Sequence, residues 1–155
     1  MKNLFLLLIF ISAGFSAQMP NISNIWLNEG KPYLGTISQD KMKLAVKIDI
    51  SEQNRKNDQQ YYVSGTTAVD NTTMKFEGTM TITEYKNRKN KSIIYGNYDF
   101  AEENTGKHSG KMTGKFVYRF DWNKKTQRPE NHQIKFNGNW MSYDKTMQFK
   151  TEFSN

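Results

Sequence analysis

The sequence predicts an all-β protein: one antiparallel up-and-down meander of about eight or nine strands closed into a barrel, with a two-sheet β-sandwich as the alternative. Three observations lead there. Polar and apolar residues alternate with period two through almost the whole chain after residue 18, the mark of strands with one dry face and one wet face. The gaps between these stretches are short enough for hairpins, so successive strands pair antiparallel. Glycines recur inside the stretches, always in the apolar phase, as in Phe76-x-Gly78-x-Met80, Ile94-x-Gly96-x-Tyr98, Met112-x-Gly114-x-Phe116 and Phe136-x-Gly138-x-Trp140. A strand glycine weakens the strand unless it serves a sharp bend or a close approach, and curling a sheet around aromatic side chains needs both. Closure also removes the exposed edges of such a meander.

The first element is an address rather than a strand. Residues 1–17 place one lysine before an apolar run from Leu4 to Ile11, followed by small residues up to Ala17. This charge–apolar–small order predicts a secretory signal peptide with cleavage near Ala17. The run is too short to cross a bilayer, and no later stretch predicts a transmembrane segment. The remaining residues, 18–155, form a single domain expected to be exported, periplasmic or extracellular.

Strands are predicted at about 22–28, 32–38, 42–50, 59–67, 73–85, 92–100, 108–122, 132–142 and 146–153. The inward set of the third is Met42, Leu44, Val46, Ile48 and Ile50; that of the fifth is Met74, Phe76, Gly78, Met80 and Ile82. Met112, Gly114, Phe116, Tyr118, Phe120 and Trp122 continue the pattern in the seventh. Asp144-Lys145 is expected to make the tightest turn.

Composition narrows the function. A chain of 155 residues holds one domain. Ten Phe, eight Tyr and three Trp can build a core, which argues against disorder. The absence of cysteine excludes disulfides, a thiol nucleophile, a thiolate zinc site and cysteine lipidation.

Trp26-Leu27-Asn28-Glu29-Gly30 is similar to the opening strand of avidin-type proteins, and Phe136-Asn137-Gly138-Asn139-Trp140 is similar to later strands of related barrels. With its repeated strand glycines and late Trp140, the chain resembles the calycin group of lipocalin-like and avidin-like proteins. Asn24-Ile25-Trp26 stands where lipocalins carry Gly-x-Trp. The resemblance implies a lipocalin-like barrel that binds a small ligand or a protein.

Candidate chemistry is sparse. His108 and His132 fall at opposite ends of the meander, too far apart to share a metal, and neither has ligand spacing. No metal site and no cofactor are expected. Ser64-Gly65 and Ser109-Gly110 lack the Gly-x-Ser-x-Gly elbow, and His108 and Ser109, adjacent in a strand, would face opposite ways. Glu102-Glu103 reads as a solvated polar turn. Glu84 continues the inward phase of Met80 and Ile82; it either binds a ligand's donor group near a barrel mouth or is simply wet at a strand end. The reading is therefore a non-catalytic protein, with a hydrolase using Glu84 as the minor alternative.

Charge is not evenly spread. The net charge is +7. In the meander the loops 28–31, 51–58, 86–91 and 123–131 share one end and carry ten cations against four anions. The loops at the other end carry three cations against five anions. The basic end, with the longer loops, is thus the expected ligand mouth. Lys86, Arg88, Lys124 and Arg128 supply its charge, and Glu84, Trp122 and His132 complete the candidate binding set. Partners of the right sign are an anionic small molecule, a glycan, a lipid headgroup or an acidic protein. Nucleic acid is not expected, because the basic loops lack interleaved aromatics for stacking. The alternative is a protein-interaction module, an inhibitor or immunity-type protein acting through its rim loops or outer face. A mouth plugged by Tyr118, Phe120, Trp122 and Trp140 favours that alternative; a large cavity favours the ligand. Lysine-rich loops can also serve solubility alone.

Overall fold

Period-two alternation does produce strands, and they close on themselves. The computed structural model describes residues 19–89, 91–126 and 128–155; the expected signal peptide lies outside them. A short helix α1 (Ser23–Trp26) and a 3-10 turn (Asn28–Gly30) precede eight strands. These are β1 (Tyr33–Ile37), β2 (Met42–Asn54), β3 (Asn57–Val69), β4 (Thr72–Arg88), β5 (Lys91–Glu102), β6 (Gly110–Asn123), β7 (Arg128–Ser142) and β8 (Gln148–Ser154). Each pairs antiparallel with the next, and β1 pairs back onto β8 with Gly35 opposite Phe153. The sheet is a closed barrel, and the sandwich alternative falls away.

The barrel has eight strands because residues 22–28, expected to form a ninth, do not join the sheet. The ring closes through β1 and β8, which leaves no edge with free N–H and C=O groups to receive them. They coil instead into α1 and the 3-10 turn, and Trp26 drops into the barrel. The tightest connections are also elsewhere than expected. Asp70-Asn71 joins paired Val69 and Thr72, whereas five residues link β7 to β8.

Two β-bulges correct the sequence phase. Ile48 faces in, opposite Gly65, but the register shifts before Ile50, which pairs with Ser64 and is 56% exposed. A second shift separates Ile82 from Glu84, which pairs with outward-facing Tyr95. One inserted residue reverses every later side chain in a strand. Ile50 and Glu84 therefore lie outside, not in the inward series.

The interior is filled. Trp26 packs edge-on against Tyr61, Phe116 and Tyr118, with ring centroids 5.7, 5.3 and 5.9 Å away. Below it Phe136 stacks on Phe153 at 4.6 Å, and further along Phe76 stacks on Phe100 at 4.6 Å. Gly96 leaves room for the Phe116 ring, which a Cβ there would meet at 2.2 Å, while Gly114 and Gly138 face each other on β6 and β7. A Cβ on Gly114 would lie 2.2 Å from the Asn137 carbonyl oxygen. The inward glycines thus let neighbouring strands approach and coil tightly.

Candidate functional site

The two ends of the barrel differ. At the basic end the N-terminal segment is tied across the opening. The Met19 N–H donates to Asp58 at 2.6 Å, and the Gln53 amide donates to the Met19 carbonyl at 3.3 Å. The Ile22 N–H donates to the Tyr61 hydroxyl at 3.3 Å, and the Tyr33 hydroxyl donates to the Trp26 carbonyl at 2.9 Å. Trp26 is wholly buried. The expected mouth is therefore occupied by the chain's own tryptophan rather than by the Tyr118–Trp122 stripe alone.

The seven candidate residues ring this end without forming a cleft around a shared point. Glu84 is exposed on the outer face, its carboxylate 3.1 Å from the Lys86 ammonium. That ammonium also lies 5.1 Å from the centre of the Tyr95 ring. Arg88 ends β4, Lys124 stands in the β6–β7 turn and Arg128 opens β7, all exposed on adjoining hairpins. Trp122 is 40% exposed opposite Pro129. His132 is half-buried, 6.2 Å from the Tyr118 ring, and its Nδ1 has no hydrogen-bond partner among the described residues.

The opposite end is open. The turns β1–β2, β3–β4, β5–β6 and β7–β8 surround a cavity of about 340 Å³. Met42, Met74, Met112 and Met147 wall it, with Ile37, Val69, Trp140 and Phe149 between them. Asp70, Thr72 and His108 stand at its rim and Thr67 and Glu102 lie inside. Trp140 stacks on Phe149 at 5.8 Å.

Glu102 corrects the expectation of a solvated turn. It is the last residue of β5 and only 6% exposed. The Thr67 hydroxyl donates to its Oε1 at 2.6 Å. The Gly110 N–H and the Trp140 indole N–H donate to its Oε2 at 3.0 and 2.9 Å. The Tyr143 hydroxyl donates to its backbone carbonyl. Among the described residues the ion pairs join Lys31 to Glu29, Lys47 to Asp49 and Lys86 to Glu84. Glu102 has none. A buried carboxylate held by three neutral donors and no protein cation is a costly arrangement. The signal was present in the sequence: Ile94, Gly96, Tyr98 and Phe100 alternate inward, and Glu102 is the next member.

The loops around the cup are braced. The Ser109 hydroxyl donates to the Gly106 carbonyl at 2.7 Å and accepts from the N–H groups of Thr105 and Gly106 at 3.2 and 3.3 Å. It closes the β5–β6 loop. In the β7–β8 loop the Ser142 hydroxyl donates to Asp144 at 2.7 Å, and the Thr146 N–H and hydroxyl donate to the same oxygen. These bonds, Ser142 first, hold the Asp144 carboxyl down at about 2. The Met147 N–H in turn donates to Ser142 Oγ at 3.0 Å, which sets Met147 at the cup.

No helix among the described residues is long and apolar enough to cross a membrane. Compared with protein-family models, with curated proteins and with solved structures, the chain matches none.

Proposed function

We propose that the protein is an exported, non-catalytic binding protein that takes a small ligand in the cup opposite its N-terminal segment. The observation that carries this reading is Glu102, a buried carboxylate without a protein cation inside an open, apolar-walled cavity. A volume of about 340 Å³ is at the small end of ligand sites. The ligand is compact, largely apolar, and bears a positive charge or a hydrogen-bond donor. This moves the site from the basic end to the other one, and reverses the sign of charge it favours. The calycin resemblance is compatible with a barrel that holds its ligand at one end. Its test is amide chemical-shift mapping with a set of small amines and neutral apolar molecules. Shifts confined to residues around 67, 102, 112, 140 and 147 are expected; shifts at the basic rim alone, or nowhere, overturn the reading. Mass spectrometry of secreted protein should find an N-terminus near Gln18, and an intact Met1 there overturns export.

A second reading has its own observation. Lys86, Arg88 and Arg128 stand exposed on adjoining hairpins with Tyr85 and Trp122 exposed among them, over a filled barrel end. Such a rim suits contact with a macromolecule, an acidic protein before a glycan or lipid headgroup, as in the inhibitor or immunity-type alternative. Neutralising Lys86, Arg88, Lys124 and Arg128 together should leave folding nearly intact and slow association with an acidic partner. Equal capture by both forms at low salt makes the rim a solubility device.

A further inference from the structure

We propose that the cup binds a soft monovalent metal ion, Cu(I) or Ag(I), through methionine thioethers; the proposal rests on the cup being the binding site. Of the eight methionines in the chain, Met42, Met74, Met112 and Met147 open on this one cavity. Each comes from a different hairpin. Met42 begins β2, Met74 and Met112 are the third residues of β4 and β6, and Met147 directly precedes β8. All four stand where strands meet the β1–β2, β3–β4, β5–β6 and β7–β8 turns, at the end of the barrel where the cavity opens.

The donor chemistry selects the ion. Thioethers are neutral and soft; they bind Cu(I) and its congeners and have little affinity for hard ions. Hard cations would want several oxygens, yet the Glu102 carboxylate already accepts from Thr67, Gly110 and Trp140. What Glu102 does supply is a buried carboxyl group with no protein cation beside it among the described residues, which suits a single positive charge entering among neutral sulfurs. His108 stands at the rim with an imidazole, a second donor that suits copper.

The dimensions permit it. A sphere of 340 Å³ is about 9 Å across, so sulfurs on opposite walls meet at a common ion only by swinging inward, which the three rotatable bonds of methionine allow. Met112 belongs to the buried core, and Met42 and Met147 pack partly buried against it, so these side chains close the core as well as line the cavity. What sets this end apart is that four thioethers meet at it, where the layers further in are aromatic and branched aliphatic apart from Met80.

The test uses Ag(I), which needs no reductant, titrated as silver nitrate into chloride-free buffer against the full domain with labelled methionine methyl groups. Binding of one ion should shift the methyls of Met42, Met74, Met112 and Met147, and leave those of buried Met80 and outward Met141 in place. The Met74→Leu, Met147→Leu double variant, similar in volume and checked for an unchanged melting temperature, should bind at least about tenfold more weakly. Met141→Leu should bind as the parent does. Equal affinity of parent and double variant, or equal shifts at Met141, overturns the metal. If small amines or apolar molecules move the cup methyls and Ag(I) does not, the metal proposal fails and the cup stands. If neither moves them, both fail.

Discussion

Replacing Glu102 with leucine should destabilise the barrel by about 2–5 kcal/mol, and replacing it with glutamine by about 1 kcal/mol. The difference follows from the three donors around the carboxylate. Leucine leaves the buried Gly110 N–H and the Trp140 indole N–H without acceptors; each such orphan costs about 1–3 kcal/mol. The Thr67 hydroxyl can rotate toward the open cup, so it adds less. Glutamine keeps the geometry. Its carbonyl oxygen accepts from Gly110 and Trp140, and its amide donates to Thr67 Oγ1, reversing that bond. What it loses is the strength of hydrogen bonds to a charge, offset by no longer burying that charge. Urea unfolding followed by tryptophan fluorescence, with the slope m checked for constancy, reads both variants. A leucine variant that costs less than about 1 kcal/mol refutes the reasoning, because the donors would then have found other acceptors. A glutamine variant as unstable as leucine refutes it differently, by showing that charge and not geometry organises the cup.

Three other outcomes are expected. Gly114→Val should cost about 3 kcal/mol or more, since even its Cβ meets the Asn137 carbonyl at 2.2 Å; a change within about 0.5 kcal/mol would mean the strands are not so close there. Trp26→Ala should cost about 3–5 kcal/mol and expose residues 19–30 to limited proteolysis, while a segment still protected would show that Trp26 does not hold it. Burial raises the phenol of Tyr98 to about 12 and those of Tyr33 and Tyr118 further. The stability carried by a raised pKa is complete below the unfolded tyrosine value of 10.0 and is lost as pH rises through the folded values. In an alkaline ultraviolet titration Tyr33, Tyr98 and Tyr118 should therefore ionise only together with unfolding; ionisation of these three near 10 with the barrel intact would contradict this.

How far the sequence could be read depended on whether a feature lives in one strand or between strands. Alternation is local, so the strands from 32–38 onward, their antiparallel order and the inward glycines were legible. Bulges are not local. Nothing in Ile48-Asp49-Ile50 or Ile82-Thr83-Glu84 announces an extra residue, because the shift exists only in the pairing with the neighbouring strand, just past Gly65 and Gly96. Counting by twos past those points put Ile50 and Glu84 on the wrong face. The opposite error affected Glu102, where the count by twos was right and the polarity of Glu102-Glu103 overruled it. The methionines show the same division. Each of Met42, Met74 and Met112 reads as an ordinary inward residue, and their meeting around one cavity is a fact of register.

The sorting of charge between the ends followed from the meander, but charge alone did not announce that the basic end is covered by the chain itself, and energetics explain why it is. A barrel lined with aromatic rings must keep water from its ends or forgo their burial. At the basic end β2 and β3, β4 and β5, and β6 and β7 join in hairpins around the opening, and the N-terminal segment lies across it with Trp26 wholly buried. Admitting a ligand there means expelling Trp26, at about 3–5 kcal/mol, whereas exposed charges at a rim return little in water. At the other end flexible thioethers join Trp140 and Phe149 around a cavity that already exists, and Glu102 is already desolvated. Entry at that end displaces nothing of the chain, which is the energetic ground for proposing the cup, and not the basic rim, as the site of a small ligand.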